Sequence, residues 1–400
     1  MTTIKHSLPL AVALWLIPSA TWAFYETETL DARGSLRVTA SSARNPDNRW
    51  LFPHEYSGSA GGEGRLLVKW EASKLRFDFN GYAIASHVSV ASALAAPRGV
   101  DDTERSPALF TRWMDDERSI GVAAVDRMSM AYSADWLDVI IGRQPVSLAT
   151  CFFFTPNDFF APFAAQTFYR VYKPGVDAAR VEARLGGLAQ LSLIGALGYR
   201  RDADGGWSSD VEWERAAALA RITMVAHGFE IGALAGRAQG EEKYGASLQG
   251  ELFMGVGLRA EGNLARGAGD RVEAAVELEK RYPSSLNARL AYFWHGAGED
   301  DPARYLSVLT GVGGYLGKSY SALGLGYEFG PLTAGDAALI RNMSDGSMLL
   351  ALNLIRSLSD ESELALSLSV PLGREPRGFT LESEYGAAPL TAAVEMRGYF

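Results

Sequence analysis

The sequence predicts an all-β protein, a transmembrane antiparallel up-and-down β-barrel of roughly 18–20 strands. Three observations predict it: alternating polar and apolar segments fill the chain, an export signal precedes them, and no long apolar block follows that signal. Successive side chains of a strand point to opposite faces, so in a membrane barrel the apolar face meets lipid and the polar face lines a lumen. In a soluble sandwich the apolar face would pack on a second sheet.

Residues 1–23 have the organisation of a secretory signal peptide. A short basic stretch precedes an apolar run from Leu8 to Ile17, and small residues follow as far as Ala23. The run is too short and wrongly flanked for a membrane anchor, and no Cys follows to mark a lipoprotein. We therefore expect cleavage after Ala23, with residues 24–400 forming a single outer-membrane barrel domain.

Composition excludes several other classes of protein. A helical membrane protein needs about 20 consecutive, predominantly apolar residues per span, and none follows the signal although 48% of the chain is hydrophobic. The single Cys excludes a disulfide framework and the zinc and haem-attachment patterns built on Cys pairs, so we expect no metal and no cofactor. The net charge of −9 argues against nucleic acid as a partner.

Alternating segments of roughly ten residues, separated by turn residues, recur from Gly34 onward. The candidate strands cover residues 34–40, 64–72, 74–86, 120–133, 136–143, 177–185, 189–199, 213–226, 228–236, 244–253, 255–264, 272–281, 285–295, 304–313, 318–329, 332–342, 347–356, 363–371, 378–385 and 390–400. Counting back from the last strand assigns short turns to the periplasmic side. The longest connections, 41–63, 87–119 and 144–176, then fall on the outer side, as bacterial barrels require.

The last candidate strand ends at Phe400. In residues 390–400 the even positions are apolar or small, whereas Thr391, Glu395 and Arg397 share the opposite face. A terminal aromatic residue on such a strand resembles the C-terminal signature of bacterial outer-membrane proteins. The resemblance implies that the barrel-assembly machinery recognises Phe400 as an assembly signal. It also implies a location in the bacterial outer membrane, in contact with outer-membrane lipid and lipopolysaccharide.

The inward-facing positions carry charges of both signs. Arg76 and Asp78 alternate in one candidate strand, and Glu182 and Arg184 alternate in another. Ionised groups are tolerated there only if the interior is wet or the charges pair across strands. One interpretation is a lattice of salt bridges that stiffens the wall, and the other is a surface that selects solutes by charge.

A Phe-rich segment follows the strand that ends near Arg143. Six Phe residues lie between Cys151 and Phe163 together with two Pro residues. Apolar patches of that size are rarely left exposed, so we expect this loop to fold into the barrel mouth; the alternative is a lid on the outer rim. Inside the mouth, its polar residues would meet passing solute. The candidate constriction residues are Arg143, Asp158, Arg170 and Lys173.

Within residues 142–177 three short motifs carry a family resemblance. They are the strand-ending Gly142-Arg143-Gln144, the loop motif Pro156-Asn157-Asp158, and Lys173-Pro174-Gly175-Val176-Asp177 at the entry to the next strand. This pattern resembles a group of Gram-negative, porin-like outer-membrane barrels that are distantly similar to the alginate-export type. Barrels of this size also resemble the porin sheaths that surround multihaem cytochromes in electron conduits.

Two functions follow as hypotheses. The first is an outer-membrane channel, porin-like, for diffusion or export of small solutes. The second is a barrel sheath for a partner, such as a multihaem cytochrome or another periplasmic protein in an electron conduit or export complex. We do not expect an enzyme, because nothing in the sequence pairs a Ser or Asp with any of the four mature His residues. These are His54, His87, His227 and His295.

Deleting Phe400 should slow insertion into the outer membrane and leave aggregates in the periplasm, because the assembly machinery would lose its signal. The same variant refolded in detergent should form the barrel nearly as well as wild type. Surface labelling and cell fractionation measure the first effect. Equal surface levels of the two proteins would contradict the proposed role of Phe400.

Overall fold

Eighteen long strands form one closed antiparallel barrel. The computed structural model describes residues 25–90, 102–168, 170–202, 206–267, 269–308 and 314–400. The barrel strands, numbered β1 to β18, are Leu30–Arg44, Tyr56–Ala72, Leu75–Val88, Ser119–Ser133, Leu137–Gln144, Val176–Arg184, Ala189–Ala196, Ala217–Ala226, Phe229–Ala238, Glu241–Phe253, Val256–Arg266, Arg271–Arg281, Asn287–His295, Ser319–Gly330, Thr333–Asn342, Met348–Ser359, Ser362–Leu372 and Leu390–Tyr399. Each strand pairs with its neighbour in the sequence, and β18 pairs with β1. The predicted barrel class and strand range are confirmed.

The barrel closes where its two terminal strands meet. The Gly34 N–H donates to the Phe400 carbonyl oxygen at 2.5 Å, and the Phe400 N–H donates to the Gly34 carbonyl oxygen at 2.9 Å. A Cβ atom at Gly34 would lie 2.0 Å from the Phe400 ring, so only glycine allows the ring to cover this strand. The C-terminal residue is thus part of the closing seam.

Turn length separates the two ends of the barrel. At one end, two-residue turns such as 73–74, 227–228 and 254–255 join the strands, and the start of β1 and the end of β18 lie there. Ser73, His227 and Met254 have φ values of 57°, 51° and 51°, which is the backbone of tight hairpin turns. The other end carries the long connections, which are 45–55, 89–118, 145–175, 197–216, 296–318 and 373–389. We call the two ends the short-turn end and the long-loop end.

Two of the predicted strands were wrong. Within 304–313, the described residues form the 3₁₀ turn Pro302–Arg304 and the short helix Tyr305–Val308. Residues 309–313 lie outside the described residues. The 378–385 segment is a loop at the barrel mouth, in which Leu381, Ser383 and Tyr385 are buried. Its alternation therefore reflects packing of a loop against its neighbours, and the strands between the two segments run opposite to the predicted direction.

The remaining elements are small. A short strand, Phe110–Asp115, pairs with the start of β4, and Tyr199–Arg201 forms a hairpin with Trp207–Val211. The predicted signal peptide, 1–23, lies outside the described residues, so its cleavage and the domain limits 24–400 stay predictions. No helix among the described residues has the length and apolar character needed to cross a membrane.

Wild-type protein in detergent should migrate faster on gels when unboiled than when boiled. A closed sheet satisfies every strand backbone group internally, and it therefore resists unfolding by detergent at room temperature. Circular dichroism dominated by helix, or identical migration of the two samples, would contradict the closed barrel.

Candidate functional site: the loop-filled lumen

The connection between β5 and β6 lies inside the barrel. We call residues 145–175 the lumen loop. Phe153 is 3% exposed and Phe154 is 1% exposed, although both belong to a connection at the barrel mouth. Burial of these rings confirms that the Phe-rich segment folds into the lumen.

One part of the lumen loop packs against the wall formed by β12 to β16. The Phe154 ring stacks on Phe293 with centroids 4.9 Å apart and planes 9° apart. Space for Phe153 comes from Gly324, where a Cβ atom would lie 2.6 Å from the Phe153 ring. The buried wall residues here are small or apolar: Ala275, Ala291, Phe293, Tyr320, Ala322, Ala338, Ile340 and Leu349. These side chains face the lumen, where they form a core for the loop.

A second part of the lumen loop packs against β6 to β9. Val146, Leu148 and Phe160 are buried against this wall. The wall contributes Val176, Ala178, Ile194, Ala196, Ala217, Leu219, Leu234 and Ala238. Together the two apolar clusters cover the inner surface from β6 round to β16, with β10 and β11 between them.

Carboxylates on the wall bind the backbone of the loop. Glu261 of β11 accepts the Thr150 N–H at 2.6 Å, and Glu277 of β12 accepts the N–H groups of Phe152 and Phe153 at 3.1 Å each. Buried backbone donors without a partner are costly, so these carboxylates satisfy donors that the apolar wall could not. Glu261 and Glu277 therefore lie on the inner face of the wall, and their partners belong to the folded loop.

Asp158 and Lys173 form an ion pair with each other inside the loop. The side chains are 4% and 9% exposed, and the pair joins the outgoing limb of the loop to the returning limb. Burial raises the pKa of the Asp158 carboxyl, opposed by the Lys173 ammonium, and burial lowers the pKa of Lys173. The two constriction candidates are therefore brought together, in a place where they hold the loop closed on itself.

Arg170 is the constriction candidate that keeps a partly exposed side chain. Its guanidinium donates to the carbonyl oxygens of Phe152 and Thr167. The Phe152 ring lies between two guanidiniums, with the Arg170 Cζ 3.9 Å and the Arg289 Cζ 4.2 Å from its centroid. Cations above an aromatic face are attracted by its quadrupole. The arrangement fixes two positive charges at the edge of the loop.

Arg143 is buried at the base of the loop, where it is 3% exposed. Its guanidinium makes a bidentate pair with Asp177 at 2.8 and 3.0 Å, and it also donates to the carbonyl oxygens of Ser106 and Val125. Bidentate pairing of this kind fixes geometry as well as charge. The structure places this candidate where β5, β6 and the segment before the strand Phe110–Asp115 are joined.

The wall from β17 round to β2 is lined by polar side chains. Among the described residues, neither apolar cluster includes a side chain from β17, β18, β1 or β2. Polar side chains face inward along these strands, including Arg37, Thr39, Ser41, Glu63, Ser367, Ser369, Thr391 and Glu395. The side of the lumen that the two apolar clusters leave uncovered is therefore lined by polar side chains.

A network of charges supports one edge of that wall. Arg65 pairs with Glu63 at 3.0 Å and with Asp126 at 3.1 Å, while Arg105 pairs with Asp126 at 2.8 Å. These side chains are only 4–10% exposed. The lumen loop returns to the wall here, because the Tyr172 ring lies 4.2 Å from the Arg65 Cζ. Pairing of both signs across strands is what the salt-bridge interpretation predicted.

Two of the described His residues pair with other side chains, and one of them, His295, has its Nδ1 2.7 Å from Glu273 Oε1. His87 Nδ1 lies 2.9 Å from Ser119 Oγ at the exposed rim. The nearby Asp116 carboxylate accepts the backbone N–H groups of Arg118 and Ser119. These hydrogen bonds do not orient the His87 imidazole. No group of three His, Cys, Asp or Glu among the described residues could hold a metal ion.

Comparisons with known proteins agree on the fold. The sequence matches no protein-family model and no curated protein. Among solved structures, Acinetobacter baumannii OccAB3 is similar with a TM-score of 0.58 and 9% identity, covering 93% of this chain and 99% of that one. Pseudomonas aeruginosa OpdL has a TM-score of 0.56 at 11% identity, covering 93% and 98%. Pseudomonas aeruginosa OccK11 (OpdR) has a TM-score of 0.51 at 14% identity, covering 95% and 98%.

These neighbours are outer-membrane porins with 18-stranded barrels. At such low identity the likeness shows a shared fold, that of a porin-like barrel. The similarity to the alginate-export type that the loop motifs suggested receives no support from these structures.

The substitution Asp126→Asn should destabilise the barrel by on the order of 3 kcal/mol, because the buried guanidiniums of Arg65 and Arg105 would both lose the carboxylate with which they pair. The temperature at which the unboiled gel band converts to the boiled form measures the effect. Asp115→Asn is the matched control, since its pair with Arg112 is exposed at 59% and 47% and should contribute about 0–1 kcal/mol. Equal conversion temperatures for both variants would contradict a structural role for the network.

Proposed function

We propose that the protein is a channel of the bacterial outer membrane through which small polar solutes diffuse. The observation that carries the proposal is the partly filled lumen: the apolar clusters of the lumen loop cover the wall from β6 to β16, and polar side chains line the wall from β17 to β2. A constriction of this kind selects solutes by size and by the charges that line it. The closed barrel and its apolar outer face support the membrane location.

Within this channel the four candidate residues have different roles. Arg170 lies at the free edge of the lumen loop, where its charge biases permeation, and the half-exposed Arg37 serves the same purpose on the opposite wall. Asp158, Lys173 and Arg143 act through the position of the loop, because all three are buried. A single charge beside a narrow, low-dielectric wall affects permeation more than many charges in a wide vestibule.

The sheath hypothesis is less well supported. A folded partner such as a multihaem cytochrome would need the space that the lumen loop already occupies. Displacing the loop would expose both apolar clusters and leave the Glu261 and Glu277 carboxylates without the backbone donors they now bind. A narrow solute path fits the lumen better than a second protein does.

Replacing Phe152–Phe163 by a short Gly-Ser linker should raise single-channel conductance several-fold, because the material that narrows the lumen is removed. Planar-bilayer recordings of the purified barrel measure it. A matched control replaces the exposed pair Arg200 and Asp210 in the neighbouring hairpin by Ser, since neither residue belongs to either apolar cluster. The control should conduct like wild type.

The selectivity test uses Arg170→Glu, which should shift the reversal potential in a salt gradient toward cation preference.

Unchanged conductance after loop replacement, with the barrel folded by the gel-shift criterion, would count against a lumen constriction. Absence of conductance in every form would favour the partner-filled sheath.

A further inference from the structure

Three connections at the long-loop end pack into one cap. Tyr305 and Leu316 from the connection before β14 contact Leu381 from the connection before β18, and all three are buried. Leu51 from the connection after β1 packs against them. We call this assembly the outer cap.

A carboxylate fastens the cap to the barrel rim. Glu384, in the 373–389 connection, accepts the Tyr320 hydroxyl at 2.5 Å and the Asn342 side-chain N–H at 2.7 Å. Tyr320 and Asn342 belong to β14 and β15 and are fully buried. Burial of a carboxylate among neutral donors is costly when it is charged and far less costly when it is protonated.

A second carboxylate belongs to the same network. Asp345, in the turn between β15 and β16, accepts the Tyr305 hydroxyl at 3.0 Å and the Glu384 backbone N–H at 2.8 Å. Asn342 also donates to it at 3.3 Å. Like charges this close oppose each other's ionisation.

The partners of the two carboxylates among the described residues are neutral groups. Within the described part of the chain, neither Glu384 nor Asp345 forms a salt bridge with Lys, Arg or His. The titratable groups that face Glu384 are Tyr320 from β14, Tyr305 from the short helix, Tyr315 from the segment before β14, Tyr385 from its own connection, and Asp345.

The cap touches the lumen loop. The Tyr315 ring lies 5.6 Å from Phe154 and 5.4 Å from Phe293, centroid to centroid. Tyr385 is part of the same buried cluster as Phe153 and Phe154. A change in how the cap is docked would therefore reach the rings that hold the loop in the lumen.

We propose that the outer cap is a pH-sensitive latch: ionisation of Glu384 releases the 373–389 connection from β14 and β15, and protonation docks it. Release loosens the contacts of Tyr315 and Tyr385 with the lumen loop and widens the passage. The latch itself is a property of the fold, and its effect on permeation rests on the proposed channel function.

The direction of the pH dependence follows from the burial of Glu384. Burial raises the pKa of Glu384 to about 7 from its ordinary 4.5. Glu384 therefore stabilises the docked state fully at pH values below the pKa that its side chain has when released. This contribution is lost as the pH rises through the pKa of the docked side chain. The docked-to-released ratio should therefore fall by up to about tenfold per pH unit above 7.

Hydrogen–deuterium exchange tests the latch without relying on conductance. Protection of residues 373–389, expressed relative to the intrinsic rate at each pH, should be high at about pH 5.5 and low at about pH 8.5 in wild type. Glu384→Gln mimics the protonated side chain and should stay protected at both pH values. The matched control is Glu382→Gln, two residues away, which should behave like wild type. Gel migration of unboiled samples confirms that each variant is folded.

Equal protection of wild type at the two pH values would overturn the latch, and so would a pH response in Glu384→Gln as large as that of wild type. Conductance in bilayers should rise with pH in wild type and in Glu382→Gln and stay constant in Glu384→Gln. If exchange follows Glu384 while no variant conducts, the latch stands and the channel function fails.

Discussion

Closure of the sheet is the constraint on which the rest of the molecule depends. In lipid, an unpaired strand edge would leave a row of backbone groups without partners, so β18 must return to β1. The seam is completed by the last residue of the chain, whose backbone pairs with Gly34 and whose ring covers it. Because the closed sheet has 18 strands, the strand number sets the width of the lumen that the connections can enter.

The lumen loop meets a second constraint, since an apolar segment inside a polar barrel needs an apolar wall. The structure meets it locally: small and apolar residues replace polar ones on the inner faces of β6 to β9 and of β12 to β16. Two carboxylates, Glu261 and Glu277, then bind backbone donors that the apolar wall leaves without partners. Shape, burial and hydrogen bonding thus act together to hold one connection across the lumen.

Charge is distributed differently on the uncovered wall. There, Arg and Glu side chains pair across neighbouring strands, as Arg397 of β18 does with Glu363 of β17, and the partly exposed Arg37 faces the lumen. Pairing lowers the cost of burying the charges and keeps the wall polar. The two sides of the lumen therefore serve different purposes, one anchoring the loop and the other meeting solvent.

The sequence by itself determined the barrel class, nearly every strand and the inward positions of the charged residues, and it favoured an inward course of the Phe-rich loop over a lid on the outer rim. Period-two alternation is a local property, so it can be identified without knowing which strands are neighbours. The same rule failed at 378–385, where the alternation belongs to a connection of the outer cap that packs against the barrel rim, because periodicity does not reveal what each face contacts. Tertiary structure also decided which loop residues are exposed. Asp158 pairs with Lys173, 15 residues further along the chain, and Arg143 pairs with Asp177 on the next strand. Pairings of this kind depend on distances that only the closed barrel sets, and for that reason the sequence identified the loop but not the roles of its charges.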